Sequence, residues 1–150
     1  MSSARVYLVR HAKAEKEHPA GDAARRLTAE GREAFLLLVR ELAPALRLTR
    51  IVSSPFARAL ETAHALADVT GARVEEDEAL YSGASSGREI LDLARGAGDG
   101  VALVGHNPEM AEAIARVSGR DESVRPGCIA AVELTAAGRT RLVWTATPGP

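Results

Sequence analysis

Several common features are scarce or missing in this 150-residue chain, and each absence excludes a class of protein. The single cysteine, Cys128, cannot form an internal disulfide or a cysteine-based zinc cage. No apolar run approaches the roughly 20 residues that cross a bilayer, and the net charge of -1 lacks the basic excess of nucleic-acid and membrane surfaces. The N-terminus leads directly into an apolar segment without a signal peptide, so we expect a cytoplasmic protein whose partner is neither nucleic acid nor membrane.

Two motifs that hold nucleotides and metals are also missing. No Gly-x-x-x-x-Gly-Lys sequence follows an apolar run, which excludes the loop that many nucleotide-hydrolysing enzymes wrap around phosphates. A zinc site needs three or four ligands, but the histidines include no His-x-x-x-His pair and the cysteine is alone. We therefore expect neither a metal nor an organic cofactor.

Short apolar runs alternate with helical patterns along the chain, an order that predicts an α/β fold. The length predicts one domain, covering 1–150. Strands are predicted at 5–9, 50–53, 72–75 and 101–104, and a hairpin joins 129–134 to 139–145. The predicted architecture is a single-domain three-layer α/β/α fold with a mostly parallel mixed sheet and a late antiparallel hairpin.

Cap residues mark the beginnings of the predicted helices. Thr28 is a candidate N-cap for the first helix, which Pro44 should kink or end. Ser54 and Asn107 are each followed by proline, which fits the first turn of a helix, so both are predicted to be caps. The spacing of a capping box at 86–89 marks a further helix.

Polar residues follow three of the predicted parallel strands. They are Arg10-His11, Ser53-Ser54 with Arg58 just into the next helix, and His106-Asn107. Because the carboxyl ends of parallel strands lie at one edge of a sheet, these residues are expected to converge on one cleft, into which helix N-termini also point. Taken singly, each is more often a surface or helix-start residue, but their recurrence at three strand ends favours a common site.

The residue types at these strand ends suit a phosphoryl group. Arg10 and Arg58 can each present a planar guanidinium fork to phosphate oxygens. Neutral His11 can attack phosphorus, while His106 can donate a hydrogen bond to an equatorial oxygen. The sequence therefore predicts metal-independent covalent catalysis with His11 as the nucleophile.

Three blocks of the chain resemble the signature blocks of the histidine phosphatase superfamily, which includes the phosphoglycerate mutases. The blocks are Arg10-His11-Ala12, Ser53-Ser54-Pro55 with Arg58-Ala59 and Thr62-Ala63, and Gly105-His106-Asn107-Pro108. The family usually has glycine at the position of Ala12. The resemblance implies that His11 becomes phosphorylated, that Arg10, Arg58 and His106 form the catalytic phosphate pocket, and that Asn107 contacts substrate.

A fourth segment, Arg25-Arg26-Leu27-Thr28, is similar to an Arg-x-Leu-Thr element of the small SixA-like phosphohistidine phosphatases. Either Arg25 or Arg26 fits the arginine position, and Arg26 is preferred as a substrate-binding residue. This branch implies a role in signal transduction. Its implied partner is a phosphohistidine-bearing protein, such as a histidine-phosphotransfer domain.

The proton donor of the larger family members has no clear equivalent. Those members are expected to carry a glutamate shortly after a leucine that follows the third strand, whereas Leu80 is followed here by Tyr81-Ser82-Gly83. Asp77 and Glu78 precede Leu80 and are more simply solvated turn residues. An alkoxide leaving group needs a proton, but the P–N bond of phosphohistidine is labile, and its imidazole departs with less need of a general acid.

The expected function is therefore that of a protein phosphohistidine phosphatase. Two alternatives stay open at this point. One is a phosphomonoesterase that acts on a small-metabolite phosphate ester, and the other is a non-catalytic phosphate-binding module.

Overall fold

The computed structural model describes residues 3–149, which form a six-stranded sheet with helices packed on both faces. The strands are β1 (Ser3–Arg10), β2 (Arg50–Ser53), β3 (Arg73–Glu76), β4 (Val101–Gly105), β5 (Ile129–Thr135) and β6 (Thr140–Ala146). The α-helices are α1 (Ala29–Leu42), α2 (Ala57–Thr70), α3 (Gly87–Ala97) and α4 (Glu109–Ser118). Short 3-10 helices lie at Asp22–Ala24, Ala43–Ala45 and Glu78–Leu80.

The sheet has the strand order β3-β2-β4-β1-β5-β6. Strands β1 to β4 pair in parallel, whereas β5 pairs antiparallel with both β1 and β6. The predicted α/β class, with a mostly parallel mixed sheet and a late hairpin, is confirmed.

The central strand β1 is buried on both faces. Val6 and Leu8 pack with apolar residues of α3 and α4, whereas Tyr7 and Val9 pack with those of α1 and α2. This alternation follows from the two-residue period of a strand. Burying a large apolar side chain is worth about 1.5–3 kcal/mol, so both layers hold β1 firmly in place. The residue that follows β1, His11, therefore starts from a rigid support.

Local signals set both ends of α1. Thr28 caps its first turn, because the Thr28 hydroxyl oxygen accepts a hydrogen bond from the Gly31 N–H at 2.9 Å. The helix ends at Leu42, and Pro44 lies in the 3-10 helix that follows. Across residues 3–149, no helix has both the length and the apolar character needed to cross a membrane.

Of the two caps predicted before proline, the one at Ser54 is wrong, and the one at Asn107 lies one residue further from the start of its helix than predicted. Helix α2 begins after Phe56 rather than after Ser54, and α4 begins after Pro108 rather than after Asn107. The Ser54 hydroxyl does accept a hydrogen bond from the Phe56 N–H at 3.2 Å, but it also contacts a histidine ring. Asn107 Oδ1 accepts from the Ala111 N–H at 3.2 Å. Asn107 thus caps the first turn of α4 with its side chain, whereas Ser54 bonds to a residue before α2 and does not cap that helix.

The strand register brings the three polar strand ends together. Strand β4 lies between β1 and β2, with Arg10 paired to Gly105 and Ser53 paired to Val104. The segments after these strands therefore leave the sheet at one edge, as predicted. Further along that edge, the His11 N–H donates to the Gly105 carbonyl at 3.0 Å.

Candidate active site

His11 lies at this edge with only 8% of its surface exposed. Its Nδ1 is 2.7 Å from the Ala12 carbonyl oxygen. Because a carbonyl oxygen only accepts hydrogen bonds, we assign the ring proton to Nδ1, which leaves a lone pair on Nε2. Burial lowers the pKa of His11 to about 4, and the charges of Arg58, Arg10 and Arg25 act in the same direction against the Ala12 hydrogen bond. The imidazole is therefore neutral, as a nucleophile requires.

His106 is buried beside His11, with 5.3 Å between the ring centroids. Its Nε2 lies 2.8 Å from Ser54 Oγ, which already accepts the Phe56 N–H. The Ser54 hydroxyl proton is therefore available for Nε2, and we assign the ring proton of His106 to Nδ1. Burial lowers the pKa of His106 to about 3, with further lowering by His11 and Arg58.

Arg58, in the first turn of α2, contributes a guanidinium that is almost completely buried. Its Nη1 donates to the Asp22 carbonyl at 2.8 Å, and its Nη2 donates to Asp22 Oδ2 at 3.2 Å. Its Cζ lies over the Phe56 ring, 5.2 Å from the ring centre. These contacts fix the plane and the outer edge of the guanidinium.

Arg10 reaches the same region from the end of β1. Its Nη1 donates to the Val124 carbonyl at 2.9 Å, and burial lowers its pKa. Even a lowered arginine pKa leaves the guanidinium charged at neutral pH. The charges of Arg10 and Arg58 lower the pKa values of both His11 and His106, which places the two cations around the histidine pair.

Three buried donors around His11 have no hydrogen-bond partner among the described residues. They are Nε of Arg10, Nε of Arg58 and Nδ1 of His106. Leaving a buried donor unpaired costs about 1–3 kcal/mol, so three such donors in one place indicate a site built for the acceptors of a ligand. A phosphoryl group presents three equatorial oxygens and negative charge, which suit two guanidinium groups and an imidazole N–H.

The adjacent arginines of the loop before α1 face different partners. The Arg26 guanidinium is bound to Glu61 at 2.8 Å and is 67% exposed, so the pocket role preferred for Arg26 does not fit its position. Arg25 is only 24% exposed, binds Asp22 Oδ1 at 2.8 Å, and is close enough to His11 to lower its pKa. Of the two adjacent arginines, Arg25 is therefore the one that lies toward His11.

Asn107, the other predicted substrate-binding residue, uses its side chain within the protein. Its Nδ2 donates to the Val124 carbonyl at 2.9 Å, the same oxygen that accepts from Arg10. Its Oδ1 accepts the Ala111 N–H. Asn107 therefore supports the segment that holds Arg10, with one of its two N–H donors engaged within the protein.

The turn after His11 accommodates alanine without glycine's conformational freedom. Ala12 is buried, and among residues 3–149 no residue other than glycine has a positive φ. The Ala12 N–H donates to the Thr62 hydroxyl at 3.0 Å, and that hydroxyl donates to the Arg58 carbonyl at 2.8 Å. Thr62 thus links the nucleophile's turn to the helix that carries Arg58.

The acids near Leu80 do not offer a proton donor. Asp77 caps the short helix Glu78–Leu80, with its Oδ1 accepting from the Ala79 N–H at 2.8 Å, and Glu78 is exposed. Tyr81 directly follows Leu80, where larger family members are expected to carry a glutamate, and the centre of its ring lies 5.2 Å from that of the Phe56 ring. Phe56 in turn contacts the His106 ring at 5.1 Å, so this side of the site is an aromatic wall.

The sequence placed one residue of the site at the cleft with the wrong role and did not indicate another. Ser54 was assigned to a helix cap, although the structure gives it His106 as a partner. Asp22 was not singled out at all, because a single acid in a charged loop carries no signal, yet it binds both Arg25 and Arg58. Among the residues from 3 to 149, no group of three potential ligands is arranged to hold a metal ion.

Known proteins resemble this chain in sequence and in fold. The family model described as histidine phosphatase superfamily (branch 1) matches residues 6–82. An Agrobacterium tumefaciens protein assigned as the phosphohistidine phosphatase SixA has a TM-score of 0.85 at 27% identity, covering 97% of this chain and 99% of that one. A SixA assignment from Nakamurella multipartitia has a TM-score of 0.82 at 23% identity, covering 100% and 99%.

A third structure, the protein histidine phosphatase SixA complexed with tungstate, has a TM-score of 0.83 at 22% identity and covers 96% of this chain and 97% of that one. No curated protein matches the chain in sequence. The family match covers more than half of the chain and includes His11 and Arg58. By that match and the shared fold, the chain belongs to the histidine phosphatase superfamily and is a phosphatase.

Proposed function

We propose that the protein removes a phosphoryl group from a phosphohistidine on a partner protein, through a covalent phosphohistidine on its own His11. The observation that carries the proposal is the set of three unpartnered donors, on Arg10, Arg58 and His106, around the His11 ring within the described residues. Arg25 adds positive charge at the rim of the same pocket.

In the first step, His11 Nε2 attacks phosphorus, the bond to the leaving group breaks, and the phosphoryl group moves to His11. The lowered pKa keeps His11 neutral over the physiological range, and the Ala12 carbonyl holds the ring in the reactive tautomer. Water then attacks phosphorus on the far side of His11 and releases phosphate. The two guanidinium groups and the His106 N–H carry the charge of the three equatorial oxygens through both steps.

The nature of the leaving group follows from the residues beyond the phosphate pocket. The position at which larger family members carry a glutamate holds Tyr81, whose ring packs on Phe56. A site without a carboxylic acid there favours a substrate whose leaving group departs easily, and an imidazole meets that need better than an alkoxide. The Agrobacterium neighbour, assigned as a phosphohistidine phosphatase, supports the same substrate class.

The partner proposed is thus a phosphohistidine protein such as a histidine-phosphotransfer domain, and the cytoplasmic location belongs to the same proposal. Cys128 is a buried free thiol, which is compatible with a reducing compartment. The substrate test compares hydrolysis of a phosphohistidine protein with a panel of phosphate esters, with and without a chelator. Faster ester turnover by orders of magnitude would replace the proposed substrate, and loss of activity with chelator would contradict metal-independent chemistry.

The nucleophile test uses His11→Ala and His11→Asn. Both variants should lose turnover and should form no acid-labile phosphoenzyme on rapid quenching, because no imidazole is present to attack phosphorus. His11→Asn retains an amide that can bind the Ala12 carbonyl, so it guards against a result that reflects misfolding. Normal turnover in a folded variant would refute covalent catalysis on His11.

The pocket test pairs Arg58→Ala with Arg26→Ala. Removing one preorganised donor commonly costs about 2.7–4 kcal/mol of barrier, so Arg58→Ala should lower kcat by roughly 10²–10³-fold. Arg26 is bound to Glu61 at the surface, and its replacement should change kcat less than about twofold. Equal losses in the two variants would place the phosphate elsewhere.

A further inference from the structure

Asp22 is a charged residue at the rim of the pocket that has no role in the proposed phosphoryl transfer. Its Oδ1 accepts from Arg25 at 2.8 Å and its Oδ2 accepts from Arg58 at 3.2 Å. The side chain is nevertheless 59% exposed, whereas His11 and His106 beneath it are almost completely buried. Asp22 thus presents a carboxylate to solvent above the phosphate pocket.

The contact between Asp22 and Arg58 is compatible with a bound phosphoryl group. A guanidinium has five N–H donors, and Asp22 engages only the outer edge of Arg58, through Nη1 and Nη2. The side edge of Arg58 begins at Nε, which has no partner in the part of the chain that the structure describes. Phosphate can therefore use the side edge while Asp22 keeps the outer one.

The carboxylate of Asp22 is ionised at neutral pH. A hydrogen bond from Arg25 and the charge of Arg58 hold its pKa below the usual range against a smaller opposing effect of burial. Beyond these two arginines, the titratable group that faces it is His106, while Glu61 of α2 is turned to Arg26 and the Leu27 N–H. An ionised carboxylate has no proton to give, so Asp22 is not the missing general acid.

We propose that Asp22 acts on the leaving group: its carboxylate stabilises the protonated imidazole ring of a phosphohistidine substrate, which selects phosphohistidine over phosphate esters. The inference rests on the proposed function, since it needs a phosphohistidine in the pocket. The nucleophile approaches from the buried floor, so in-line displacement sends the leaving group outward, toward the exposed rim where Asp22 lies.

The step then needs no proton transfer. The substrate ring carries a proton on the nitrogen that is not bonded to phosphorus, and this N–H faces the Asp22 carboxylate. His11 Nε2 forms the new N–P bond, the old N–P bond breaks with its electron pair on the substrate ring, and neutral imidazole departs with the proton it already held. An ester gains nothing from this arrangement, because its alkoxide must acquire a proton that Asp22 lacks.

The test compares wild-type protein with Asp22→Asn on a phosphohistidine peptide and on p-nitrophenyl phosphate. With the peptide, the alkaline limb of the kcat profile, which reports pKa values of the enzyme–substrate complex, should move down by about one pH unit, because an opposite charge commonly shifts a nearby pKa by about 1–3 units. At pH 8 this amounts to a loss of about tenfold on the peptide, while p-nitrophenyl phosphate, whose leaving group needs no proton, should change less than about twofold. Glu61→Gln removes a carboxylate from α2 outside the pocket and should leave the ratio of the two rates unchanged.

The outcomes separate this inference from its alternatives. An equal fall on both substrates would show that Asp22 only positions Arg25 and Arg58, and a rise on both would show that it competes with phosphate; either result overturns the inference. An unshifted alkaline limb overturns it as well. In these cases wild-type turnover of phosphohistidine leaves the proposed function standing, whereas a wild-type protein that does not hydrolyse phosphohistidine overturns both.

Discussion

The buried histidine pair should make the stability of the fold fall as the solution becomes mildly acidic. His11 and His106 have pKa values lowered from 6.5 to about 4 and about 3, chiefly because the protein buries them. Between pH 6.5 and about 4 the unfolded chain binds protons at both positions and the folded chain does not. Protonation therefore favours unfolding in this window, and the free energy of unfolding decreases as pH decreases.

The size of the effect follows from the two shifts. Between pH 7 and pH 5, linkage gives a loss of about 2 kcal/mol for each histidine, or about 4 kcal/mol for the pair. For a protein of this length, that corresponds to a fall in Tm on the order of 10 °C. Asp22, whose pKa is also lowered, reduces the free energy of unfolding only at lower pH, where its carboxylate becomes protonated and its ion pairs are lost. The interval above pH 5 therefore reports on the histidines.

The assay is urea unfolding followed by circular dichroism at pH 7, 6 and 5. His11→Asn and His106→Asn should each remove about half of the pH dependence, because asparagine does not titrate. His64→Asn is the matched control: His64 is exposed on α2, and its loss should leave the wild-type slope unchanged. A wild-type slope equal to that of the His11→Asn, His106→Asn double variant would refute the reasoning.

Two further predictions concern packing. A Cβ at Gly31 would lie 2.5 Å from the Lys13 carbonyl oxygen, so Gly31→Ala should lower the free energy of unfolding by about 1–3 kcal/mol. A Cβ at Gly96 in α3 would meet no atom within 4 Å, so Gly96→Ala should raise the free energy of unfolding by roughly 0.5–1 kcal/mol. Urea titration of both variants checks the pair, and similar values for the two would contradict it. Burial raises the pKa of the Cys128 thiol and shields it, so native protein at pH 8 should react with a thiol reagent at least about 100-fold more slowly than unfolded protein; comparable rates would mean that the thiol is accessible.

The sheet and the convergence of the strand ends were predictable because both depend on local patterns. The continuous burial of residues 6–9 in β1 and the parallel pairing with β4 follow from apolar runs separated by helices, and they bring Arg10 beside Gly105. Thr28 at the start of α1 is equally local, since a cap bonds to a residue three positions away. These signals carry His11 and His106 to one edge without knowledge of any distant contact.

The errors involve residues whose partners lie far away in the sequence. Arg25 and Arg26 are adjacent in an extended segment, so their side chains point in different directions, and one partner, Glu61, lies 35 positions from Arg26. Which arginine turns inward depends on the placement of α2, which no local pattern reveals. Ser54 is similar, because its partner His106 is 52 positions away and overrides the cap that Ser-Pro suggests.

The Arg25 and Ser54 corrections have a common physical reason, which also bears on mechanism. A pocket for a phosphoryl group must hold cations and donors ready while giving none of them a full set of protein partners. The protein meets this demand by fixing one edge of each group: Val124 holds Arg10, Asp22 holds Arg58, and Ser54 holds His106. Each supporting atom leaves the opposite donor for a ligand, so the residues that anchor these groups orient the donors of the proposed phosphate pocket.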